Sequence, residues 1–488
     1  MTAEKLNLSR INTHVVDILG NVKGRDQPIM LMNRAIELIA PLGEEVLSSD
    51  EYVFFDPFCK AGEILLACAF LKSYYKIHKS KPLPTVEEIQ KSMFEDNNFY
   101  ALAPDERHYR LSLRTFLGNE KSHDEDYIKM IRCGDYLSEL DGTLTEEKFT
   151  ERFNQMIEYI KKNSPNKKII AVGNPPYQES DGGFGKSAKA VYNFFTEALL
   201  DSPDINKFIL VIPSRWFGGG KGLDEFREKI LALKSVKEIK YFDNSSKVFP
   251  TVDINGGVCF LHVDKDYAGT TYLSDDKHRE IIDMSEFDII PDDPKSFSII
   301  RKVRNKWKDK YVGNKAWPSK PFGLRTNYFD VNPDLGKSHS KGVACLSKGK
   351  QIKYASRSHI TKNKNHIDSW KVCAPKAAGG SKGSRRSTIP LNQIFLIGKG
   401  MVTTETYNVI DVFKTKSEAE NFIAYLKTDF ARYLVGLRKI TQDLPPDRWN
   451  WVPYVDLKKA WNDEELCKLF AITKEERKHM SAKVEEWS

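Results

Sequence analysis

The sequence predicts an α/β fold in which helices cover a mostly parallel, Rossmann-like sheet. From about residue 50 to residue 265, short β-rich runs alternate with amphipathic helical patterns, as in sheets whose strands are joined by helical crossovers. The 488 residues are 40% hydrophobic, which is enough apolar material for a large buried core. At one to two hundred residues per domain, this length also predicts about two or three domains.

The predicted elements follow one another in regular order. Strands are expected at six short apolar runs: Tyr52–Phe55, Asn98–Leu102, Ile128–Arg132, Lys168–Val172, Lys207–Ile212 and Val236–Phe242. Helical patterns lie between them: Ala61–Tyr75, Asp105–Phe116, Thr145–Lys161, Ala188–Leu200 and Gly222–Leu233. The segment Lys247–Val263 has turn residues between two apolar runs, so we expect an antiparallel hairpin that closes the sheet.

A second, C-terminal domain of α+β type is predicted beyond this sheet. Charged and turn residues at 264–276 follow the last strand, so we divide the chain into residues 1–270 and residues 271–488. Three later elements are expected: an exposed loop rich in Gly, Ser, Lys and Arg at Lys376–Ser387, a strand at Gln393–Ile397 and a helix at Lys416–Arg438.

Charge is distributed unevenly along the chain. Lys and Arg number 75 against 67 Asp and Glu, which gives a formal net charge of +8. Residues 1–300 hold 38 basic and 48 acidic side chains, a balance of −10, whereas residues 301–400 hold 23 and 4, a balance of +19. The last 88 residues hold 14 and 15. Because the basic excess is confined to one hundred residues, it indicates a surface that binds a polyanion.

Several classes of protein are excluded. The seven cysteines are scattered without a CxxC pair, so neither a disulfide framework nor a structural zinc site is expected. The ten histidines form no HExxH motif, and we expect no metal. The longest apolar run, Ile64–Leu71, is too short for a membrane span, and the first thirty residues lack the apolar stretch of a secretory signal. We therefore expect a cytoplasmic protein with no membrane partner.

The most informative motif is Asn174-Pro175-Pro176-Tyr177, which follows the predicted strand Lys168–Val172. Two consecutive prolines have no backbone N–H and resist helix, so the chain leaves the strand in a fixed, extended turn. The side-chain oxygen of Asn174 and the carbonyl of Pro175 can then point at one spot beside the flat ring of Tyr177. Two acceptors beside an aromatic face suit a planar primary amine, and a simple Asn-capped turn is the alternative.

A second motif lies at the end of the first predicted strand and opens a helix. It is Phe55-Asp56-Pro57-Phe58-Cys59-Lys60-Ala61-Gly62. An acidic residue, a small-residue loop and a helix N-terminus are the means by which open α/β sheets hold a nucleoside-containing cofactor. A plain strand-to-helix turn is the alternative for this motif alone. Together, the two motifs predict neighbouring strand ends, one for a cofactor and one for an acceptor.

These motifs, in this order, resemble those of the gamma-class adenine-N6 DNA methyltransferases of restriction-modification systems. The resemblance covers most of the chain and includes further segments in the family's order: an N-terminal helix from Arg25-Asp26-Gln27-Pro28 to Ile39, Gly134-Asp135, Val191–Phe195, Ile212–Trp216, Gly218–Gly222 and Phe249–Val258. It implies a Rossmann-like methyltransferase sheet with a closing antiparallel hairpin, followed by a target-recognition domain.

The resemblance also implies roles for individual residues and S-adenosylmethionine as cofactor. The catalytic residues would be Asn174, Pro175, Pro176 and Tyr177, which hold an adenine flipped out of duplex DNA. The cofactor-binding residues would be Pro28, Asp56, Pro57, Phe58, Lys60, Ala61, Gly62 and Asp135. Methyl transfer to adenine N6 would be direct, helped by orientation and by exclusion of water, without a metal.

The chain departs from the family pattern in two segments. The family's loop has glycine and serine where this chain has Lys60 and Ala61, and Lys60 could instead meet the carboxylate of the cofactor. After the second strand, the family often places an acid where Ala103 stands. Asp105 could replace that acid, although an N-cap of the following helix is the simpler expectation.

The basic region fits a target-recognition domain that binds double-stranded DNA. Lysines and arginines neutralise phosphates and make the affinity depend on salt, whereas particular side chains must read the bases. The candidate DNA-binding residues are Arg357, His359, Lys382, Arg385, Arg386 and Arg438. Each of these residues is expected to contact a phosphate group and not a base. Trp449 and Trp451 are expected to pack in the core.

Three alternatives stay open beside a site-specific adenine DNA methyltransferase. They are a protein glutamine N5 methyltransferase, an RNA adenine methyltransferase, and a DNA-recognition subunit that has lost turnover. The basic region argues against a peptide substrate, and the intact Asn174–Tyr177 motif argues against loss of turnover. We expect the modification enzyme of a bacterial or phage-encoded restriction-modification system, with any restriction endonuclease on a separate chain.

Overall fold

The chain forms two compact units, which we call unit 1 (up to Ile290) and unit 2 (from Pro291). The computed structural model describes residues 30–77, 83–95, 97–121, 131–134, 136, 145–178, 189–220, 222–254, 256–308, 310–335, 342–377, 393–439 and 443–484. The boundary lies beyond the predicted residue 270, because two further short strands continue the sheet of unit 1 after that point.

Within its described residues, unit 1 contains one nine-stranded sheet. The strands are β1 (Tyr52–Asp56), β2 (Phe99–Ala103), β3 (Ile131–Cys133), β4 (Lys168–Gly173), β5 (Ile205–Pro213), β6 (Val236–Phe242), β7 (Val258–Asp264), β8 (Thr271–Ser274) and β9 (Arg279–Ile282). Their order is β3-β2-β1-β4-β5-β7-β6-β8-β9. The strands from β3 to β5 are parallel, whereas β7 lies antiparallel between β5 and β6. The predicted α/β class and mostly parallel sheet are confirmed.

Helices cover this sheet. They are α1 (Met32–Ile39), α2 (Gly43–Ser48), α3 (Glu63–Ile77), α4 (Val86–Glu95), α5 (Glu106–Lys121), α6 (Glu146–Asn163), α7 (Tyr192–Asp201) and α8 (Asp224–Ala232). The apolar run Ile64–Leu71 forms the first half of α3 and is buried throughout. It packs in the core with β1 and α1, which explains why a helix apolar on every side occurs in a globular unit.

The closing hairpin differs from its prediction in one arm. The strand β7 pairs antiparallel with β6, and the described intervening residues, 243–254 and 256–257, form turns and irregular chain with one short 3-10 segment, Ser245–Lys247. Val248 and Phe249, which suggested a strand, are buried core residues of this connection. Ser245 holds it together, because its hydroxyl donates to the Val252 carbonyl at 2.7 Å and accepts from the Ile254 N–H at 2.9 Å.

Unit 2 combines strands and helices, as predicted. Among its described residues, two three-stranded sheets are formed by β10 (Gly342–Ser347), β11 (Gln351–Ser356), β12 (Trp370–Pro375), β13 (Phe395–Ile397), β14 (Met401–Thr403) and β15 (Tyr407–Phe413), in the orders β11-β10-β14 and β13-β12-β15. The helices are α9 (Ser296–Lys306), α10 (Lys416–Leu426), α11 (Asp429–Arg438), α12 (Asp463–Leu469) and α13 (Lys474–Lys483).

The single helix predicted at Lys416–Arg438 is two helices, α10 and α11. The break falls at Thr428, whose hydroxyl accepts a hydrogen bond from the Ala431 N–H at 3.2 Å and caps α11. A threonine that bonds locally to the backbone favours a new helix start over continuation of the old helix. Across the described part of the chain, no helix is both long and apolar enough to span a membrane.

Candidate active site

The two motifs meet where the chain reverses direction across the sheet. From β1 the chain continues to β2 and β3 on one side, and β4 lies on the other side, so β1 and β4 flank the topological switch point. They are parallel, with Phe55 opposite Ala171. Asp56 at the end of β1 and Asn174 just after β4 therefore lie at the same edge of the sheet, as predicted. This edge is where open α/β sheets bind their ligands.

Gly173 allows these two strand ends to approach each other closely. A Cβ atom at this position would lie 2.7 Å from Oδ1 of Asp56 and 2.9 Å from a ring carbon of Phe58. Neither distance is tolerable for a real Cβ. Glycine at the last position of β4 therefore fixes how near the cofactor-side carboxylate lies to the acceptor-side motif.

The loop after β1 is held by backbone and side-chain hydrogen bonds. Oδ1 of Asp56 accepts from the Phe58 N–H at 2.9 Å, and the Pro57 carbonyl accepts from the hydroxyl of the buried Tyr136 at 2.9 Å. Gly62 ends the loop with φ +85°, a left-handed conformation that favours glycine, and a Cβ there would lie 2.5 Å from the ring of Phe116. The loop then enters the N-terminus of α3.

Three ionisable groups are packed together in this loop and at the start of α3. Burial raises the pKa of Asp56 to about 8, opposed by its hydrogen bond from the Phe58 N–H and reinforced by Glu63. Burial also raises the pKa of Glu63, whose Oε1 accepts from the Met30 N–H at 3.1 Å. Burial lowers the pKa of Lys60 to about 8, opposed by the two carboxyl groups. The pKa values of an acid and a base therefore converge near neutrality here.

Asn174 presents a buried acceptor. The residue is 4% exposed, and among the described residues its Oδ1 has no hydrogen-bond partner. Because an unpaired buried carbonyl oxygen is destabilising, such a group in a well-packed structure indicates a place for a donor. Pro175 is buried beside it and Pro176 is half-buried.

Tyr177 presents an aromatic ring whose orientation is fixed. Its hydroxyl donates to the Val211 carbonyl at 3.3 Å, and its ring meets that of Tyr192 edge-on, with 6.5 Å between centroids. Burial raises the pKa of Tyr177 well above its usual value, so the hydroxyl stays neutral. The ring is therefore suited to stacking and hydrogen bonding, not to acid–base work.

Asp105, after the end of β2, was expected either to replace the family's acid or to cap the following helix. Its Oδ1 accepts from the His108 N–H at 2.9 Å and lies 2.7 Å from His108 Nδ1, so it caps α5. Ala103 is fully buried, and its carbonyl accepts from the Gly134 N–H at 2.6 Å. Pro28 and Asp135, which were predicted to bind the cofactor, lie outside the described residues.

Three residues of this edge were missed from the sequence. Glu63 begins the apolar helix α3, and a carboxyl group directly before an apolar run was a signal that could have been used. Tyr136 follows the recognised Gly134, but nothing in its spacing indicates a bond to Pro57. Gly173 follows the predicted strand Lys168–Val172 directly and belongs to the observed β4, where a glycine signals a close approach of backbone or side chains.

The residues present fit the amino-acid part of S-adenosylmethionine. Asp56 offers a carboxyl group and Lys60 an ammonium group on one loop, which complements a ligand that carries both an amino group and a carboxylate. Gly62 is buried against the ring of Phe116 and lets the loop turn tightly into the N-terminus of α3. The described residues contain no group of His, Cys, Asp and Glu that could hold a metal ion.

The predicted DNA-binding residues fall into three groups. Arg357 and His359 are exposed on a turn after β11, and Nδ1 of His359 lies 2.9 Å from the hydroxyl of Tyr328. Lys382, Arg385 and Arg386 lie outside the described residues. The prediction for Arg438 is wrong, because this side chain is 2% exposed. Its Nε donates to the Asp447 carbonyl at 2.6 Å and its guanidinium lies 4.7 Å from the Trp451 ring centroid.

Exposed basic side chains cluster around the β10–β11 hairpin. Residues 342–367 contain no Asp or Glu. The exposed basic residues of this stretch, which we call the basic surface, are Lys348, Lys350, Arg357, Lys362 and Lys364. Among the described residues, none has a carboxylate within 4.0 Å. Ile352, on the edge strand β11, is 58% exposed in their midst. The five basic side chains give this stretch a local excess of positive charge, which favours an anionic partner.

Residues 97–249 match the family described as Eco57I restriction-modification methylase. The resemblance to restriction-modification methylases is confirmed. The matched range contains β2 to β6 and the Asn174–Tyr177 motif. An "uncharacterized adenine-specific methylase" of Mycoplasma pneumoniae (strain ATCC 29342 / M129 / Subtype 1) is 30% identical over 142 residues. That similarity covers 27% of this chain and 33% of the relative, so it spans about a third of the relative's length.

Solved structures of restriction-modification proteins are similar at low identity. The type IIL enzyme MmeI in complex with DNA is 10% identical, with 91% of this chain and 64% of that chain covered and a TM-score of 0.41. A type I methyltransferase subunit from Streptococcus thermophilus is 14% identical, with 51% and 46% covered and a TM-score of 0.30. These superpositions are loose, and the fold assignment rests on the strand order and register described above.

Proposed function

We propose that this chain transfers a methyl group from S-adenosylmethionine to N6 of adenine in duplex DNA. In this proposal, the switch-point edge of unit 1 binds the cofactor and an adenine flipped out of the helix, and the basic surface of unit 2 binds the DNA backbone. The proposed site and the basic surface include residues outside the matched range 97–249, so their roles are inferred from the chemistry of the side chains.

The buried, unpaired Oδ1 of Asn174 carries this proposal. It lies beside a fixed aromatic ring and at the strand end next to Asp56. A planar exocyclic amine offers a donor to this oxygen and a flat heterocycle to Tyr177. Adenine has both groups on one ring system, with N6 as the amine. A deep amide acceptor of this kind rejects a ligand that lacks the donor, because the oxygen would remain unpaired.

Each residue then has a defined task. Asn174 Oδ1 and the Pro175 carbonyl accept the two N6 hydrogens, so the nitrogen lone pair points out of the ring plane towards the cofactor side. Tyr177 stacks on the base, while Asp56 and Lys60 hold the amino and carboxylate groups of the cofactor. The cofactor supplies a methyl group on a sulfonium sulfur, and transfer leaves S-adenosylhomocysteine and releases one proton from N6. Orientation and exclusion of water provide the rate enhancement.

The basic surface favours duplex DNA over a protein substrate. Exposed lysines and arginines without carboxylate partners have strong electrostatic interactions with phosphates, whose counterions are released on binding. Ile352 would contact sugars or base edges, as apolar side chains do in grooves. A peptide substrate needs no such surface.

In the cell, we propose that the chain is the modification enzyme of a restriction-modification system. It would act in the cytoplasm, where the DNA is, and protect its recognition sites from a restriction endonuclease carried on a separate chain. This role follows from the matched family and from adenine-N6 methylation, which blocks cleavage when it lies in the nuclease's site.

The product of the reaction tests this proposal. The protein is incubated with tritiated S-adenosylmethionine and, separately, with genomic duplex DNA, total RNA or total cell protein, and the macromolecules are digested to monomers and separated. We expect label in N6-methyladenine from DNA. Label only in methylated RNA adenine, or only in N5-methylglutamine from protein, would overturn the DNA assignment, and no label in any acceptor would overturn the enzyme.

A further inference from the structure

Lys60 lies over the ring that the proposed reaction needs. The side chain is half-buried, and its Nζ lies 5.8 Å from the centroid of the Tyr177 ring. This is within the range of an attractive cation–π contact. The contact joins the loop after β1 to the motif after β4, so it crosses the switch point from the cofactor side to the acceptor side.

The ammonium group has no stronger partner in the described residues. No carboxylate lies within 4.0 Å of Lys60, although Asp56 and Glu63 are on the same loop and helix start. Both are engaged with backbone N–H groups, Asp56 with Phe58 and Glu63 with Met30. Burial raises the pKa of both carboxyl groups, that of Asp56 to about 8, so Asp56 carries less negative charge than usual near neutral pH. The aromatic face is therefore the contact that remains.

Tyr177 cannot easily turn away from this cation. Its hydroxyl is bonded to the Val211 carbonyl at 3.3 Å, and the ring of Tyr192 packs against it at an interplanar angle of 83°. A base that stacks on the face covered by Lys60 must displace the ammonium group.

We propose that Lys60 is a gate that makes binding ordered, with the cofactor before the base. Without cofactor, the Lys60 ammonium covers one face of Tyr177. The cofactor's carboxylate draws the ammonium off the ring, because a charge-assisted hydrogen bond is stronger than a cation–π contact at a partly exposed site. The cleared face then accepts the adenine. This inference rests on the proposed function for the identity of both ligands.

Such a gate has a functional reason. A flipped base held in a site without cofactor is unproductive and delays release of the DNA. With the gate, the position of the Lys60 side chain depends on whether the cofactor is bound, and that position determines whether the Tyr177 ring is open to a base. The family's glycine at this position has no side chain and cannot perform this task, so the departure at Lys60 becomes a specific property of this chain.

The gate can be tested without DNA by measuring, with calorimetry, the affinity of the protein for two compounds related to the cofactor. S-adenosylhomocysteine carries the amino and carboxylate groups, whereas 5′-methylthioadenosine keeps the nucleoside and sulfur but lacks both. In wild type, the carboxylate must pull Lys60 off Tyr177. The variant Tyr177→Leu removes that competing contact and should bind S-adenosylhomocysteine two- to fivefold more tightly, with 5′-methylthioadenosine unchanged.

The matched variants separate the gate from a structural role. In a Lys60→Gln background, which should itself weaken S-adenosylhomocysteine by roughly tenfold, Tyr177→Leu should have no effect on either ligand. Tyr177→Phe keeps the ring face and should behave like wild type. The gate is overturned if Tyr177→Leu leaves S-adenosylhomocysteine affinity unchanged, or if it changes both ligands equally. Should the leucine variant not fold, Tyr177→Trp, with a stronger cation–π face, should weaken S-adenosylhomocysteine; unchanged affinity overturns the gate.

A second measurement tests the acceptor side. A duplex that carries 2-aminopurine in place of the adenine found to be methylated reports an unstacked base by its fluorescence. Wild type should give the signal only with S-adenosylhomocysteine present, whereas Lys60→Gln should give it with or without the ligand. Equal dependence on ligand in both proteins overturns the ordered mechanism. If DNA proves not to be the acceptor, the binding experiment above still tests the Lys60 contact, so the two failures are distinguishable.

Discussion

A half-buried lysine in unit 1 and a buried lysine in unit 2 have the same altered pKa and different surroundings. Burial lowers the pKa of Lys60 and of Lys371 to about 8. Lys371 in β12 donates to the carbonyls of Ile367 and Ser369 at 2.7 and 2.8 Å, with Gly398 at 3.4 Å. Its ammonium also lies 6.0 Å from the Phe322 ring centroid but is satisfied by backbone carbonyls, whereas the Lys60 ammonium lies over the Tyr177 ring with no carboxylate within 4.0 Å among the described residues.

The same contrast holds for the charges of the two units as a whole. Unit 1 places Asp56, Lys60 and Glu63 at a buried sheet edge, where burial alters all three pKa values and Lys60 interacts electrostatically with both carboxyl groups. Unit 2 leaves the basic surface exposed and without carboxylate partners among the described residues. Buried, mutually coupled charge suits a small zwitterionic ligand, whereas exposed, unpaired charge of one sign suits a long polyanion. Unit 1 therefore has the charge pattern of a small-ligand site, and unit 2 has that of a polyanion-binding surface.

The largest effect is expected at Asn174. The change Asn174→Ala removes the buried amide oxygen and should lower methyl transfer by roughly 10²- to 10³-fold, as for loss of one preorganised polar group in an active site. Binding of S-adenosylhomocysteine should stay within about twofold of wild type, because Asp56 and Lys60 are unchanged. Tritium transfer to DNA and calorimetry measure the two quantities.

An exposed asparagine provides the control for this variant. Asn163, at the end of α6, is exposed, and its replacement by alanine should leave transfer unaltered. If Asn174→Ala retained near-normal transfer, the acceptor site would lie elsewhere in unit 1. A parallel loss of cofactor affinity would instead show that the variant disturbs the whole edge.

The basic surface should account for a large part of DNA affinity. Replacement of Lys348, Arg357 and Lys362 together by glutamine should weaken duplex binding by roughly 10- to 100-fold near 0.15 M salt. Up to three phosphate contacts are lost, so the slope of log affinity against log salt should become less negative by as much as about 2.7. Fluorescence anisotropy of a labelled duplex over a range of salt concentrations measures both.

Three other exposed lysines of unit 2 form a matched control. Lys458, Lys468 and Lys474 carry the same charge but lie outside the basic surface. Their replacement by glutamine should change the slope of log affinity against log salt by less than about 0.9, the value for one phosphate contact. An equal change in both triple variants would mean that net charge alone, and not the surface around β11, determines binding.

Cofactor affinity should depend on pH through Asp56. Because its pKa is about 8, the carboxyl group is mostly protonated at pH 7 in the ligand-free protein. Binding an ammonium group requires the ionised form, so affinity for S-adenosylhomocysteine should rise as pH increases from 6 towards 8, by up to about tenfold per unit. Binding at pH 7 should release close to one proton, measured by calorimetry in buffers of different ionisation enthalpy. Asp56→Asn should abolish that release.

The same pKa has a consequence for stability with the opposite sign. Between the unfolded-state pKa of about 4 and the folded-state pKa of about 8, the folded protein holds a proton that the unfolded chain has lost. The contribution of Asp56 to the free energy of unfolding therefore falls as pH rises through this window. Asp56→Asn should be more stable relative to wild type at pH 8 than at pH 5 in urea unfolding. A constant difference would show that Asp56 is not protonated when folded.

Most of the sheet of unit 1 could be predicted from the sequence, because β1, β2, β4 and β5 are apolar runs that are buried along most of their length. Val236–Phe242 was predicted with the bounds that β6 has, and the neighbouring ends of β1 and β4 follow from the parallel order. The hairpin's first arm was wrong, because Val248 and Phe249 are apolar for burial and not for strand pairing. Apolarity predicts that a residue is buried, whereas extended pairing also needs free backbone donors.

Other features depend on contacts that no local pattern contains. The strands β8 and β9 are four residues each at the sheet's edge, so they carried too little signal to move the domain boundary beyond residue 270. Arg438 is a residue type that often contacts DNA, but here it packs on Trp451. Only the tertiary structure distinguishes a buried arginine from a DNA-binding one. The partner of Tyr136 is likewise a carbonyl distant in sequence.

The smallest effect is expected from a single methyl group at Gly173. In Gly173→Ala, the new Cβ would lie 2.7 Å from Oδ1 of Asp56, so the carboxylate must shift. Affinity for S-adenosylhomocysteine should fall by about three- to tenfold, while DNA affinity stays unchanged. Gly398→Ala in unit 2 is the control, because its Cβ would meet nothing closer than Trp370 at 3.8 Å, and it should alter neither affinity. If both variants bound the ligand like wild type, the distance between the ends of β1 and β4 would not limit cofactor binding, and the coupling of the two motifs across the switch point would depend on Lys60 alone.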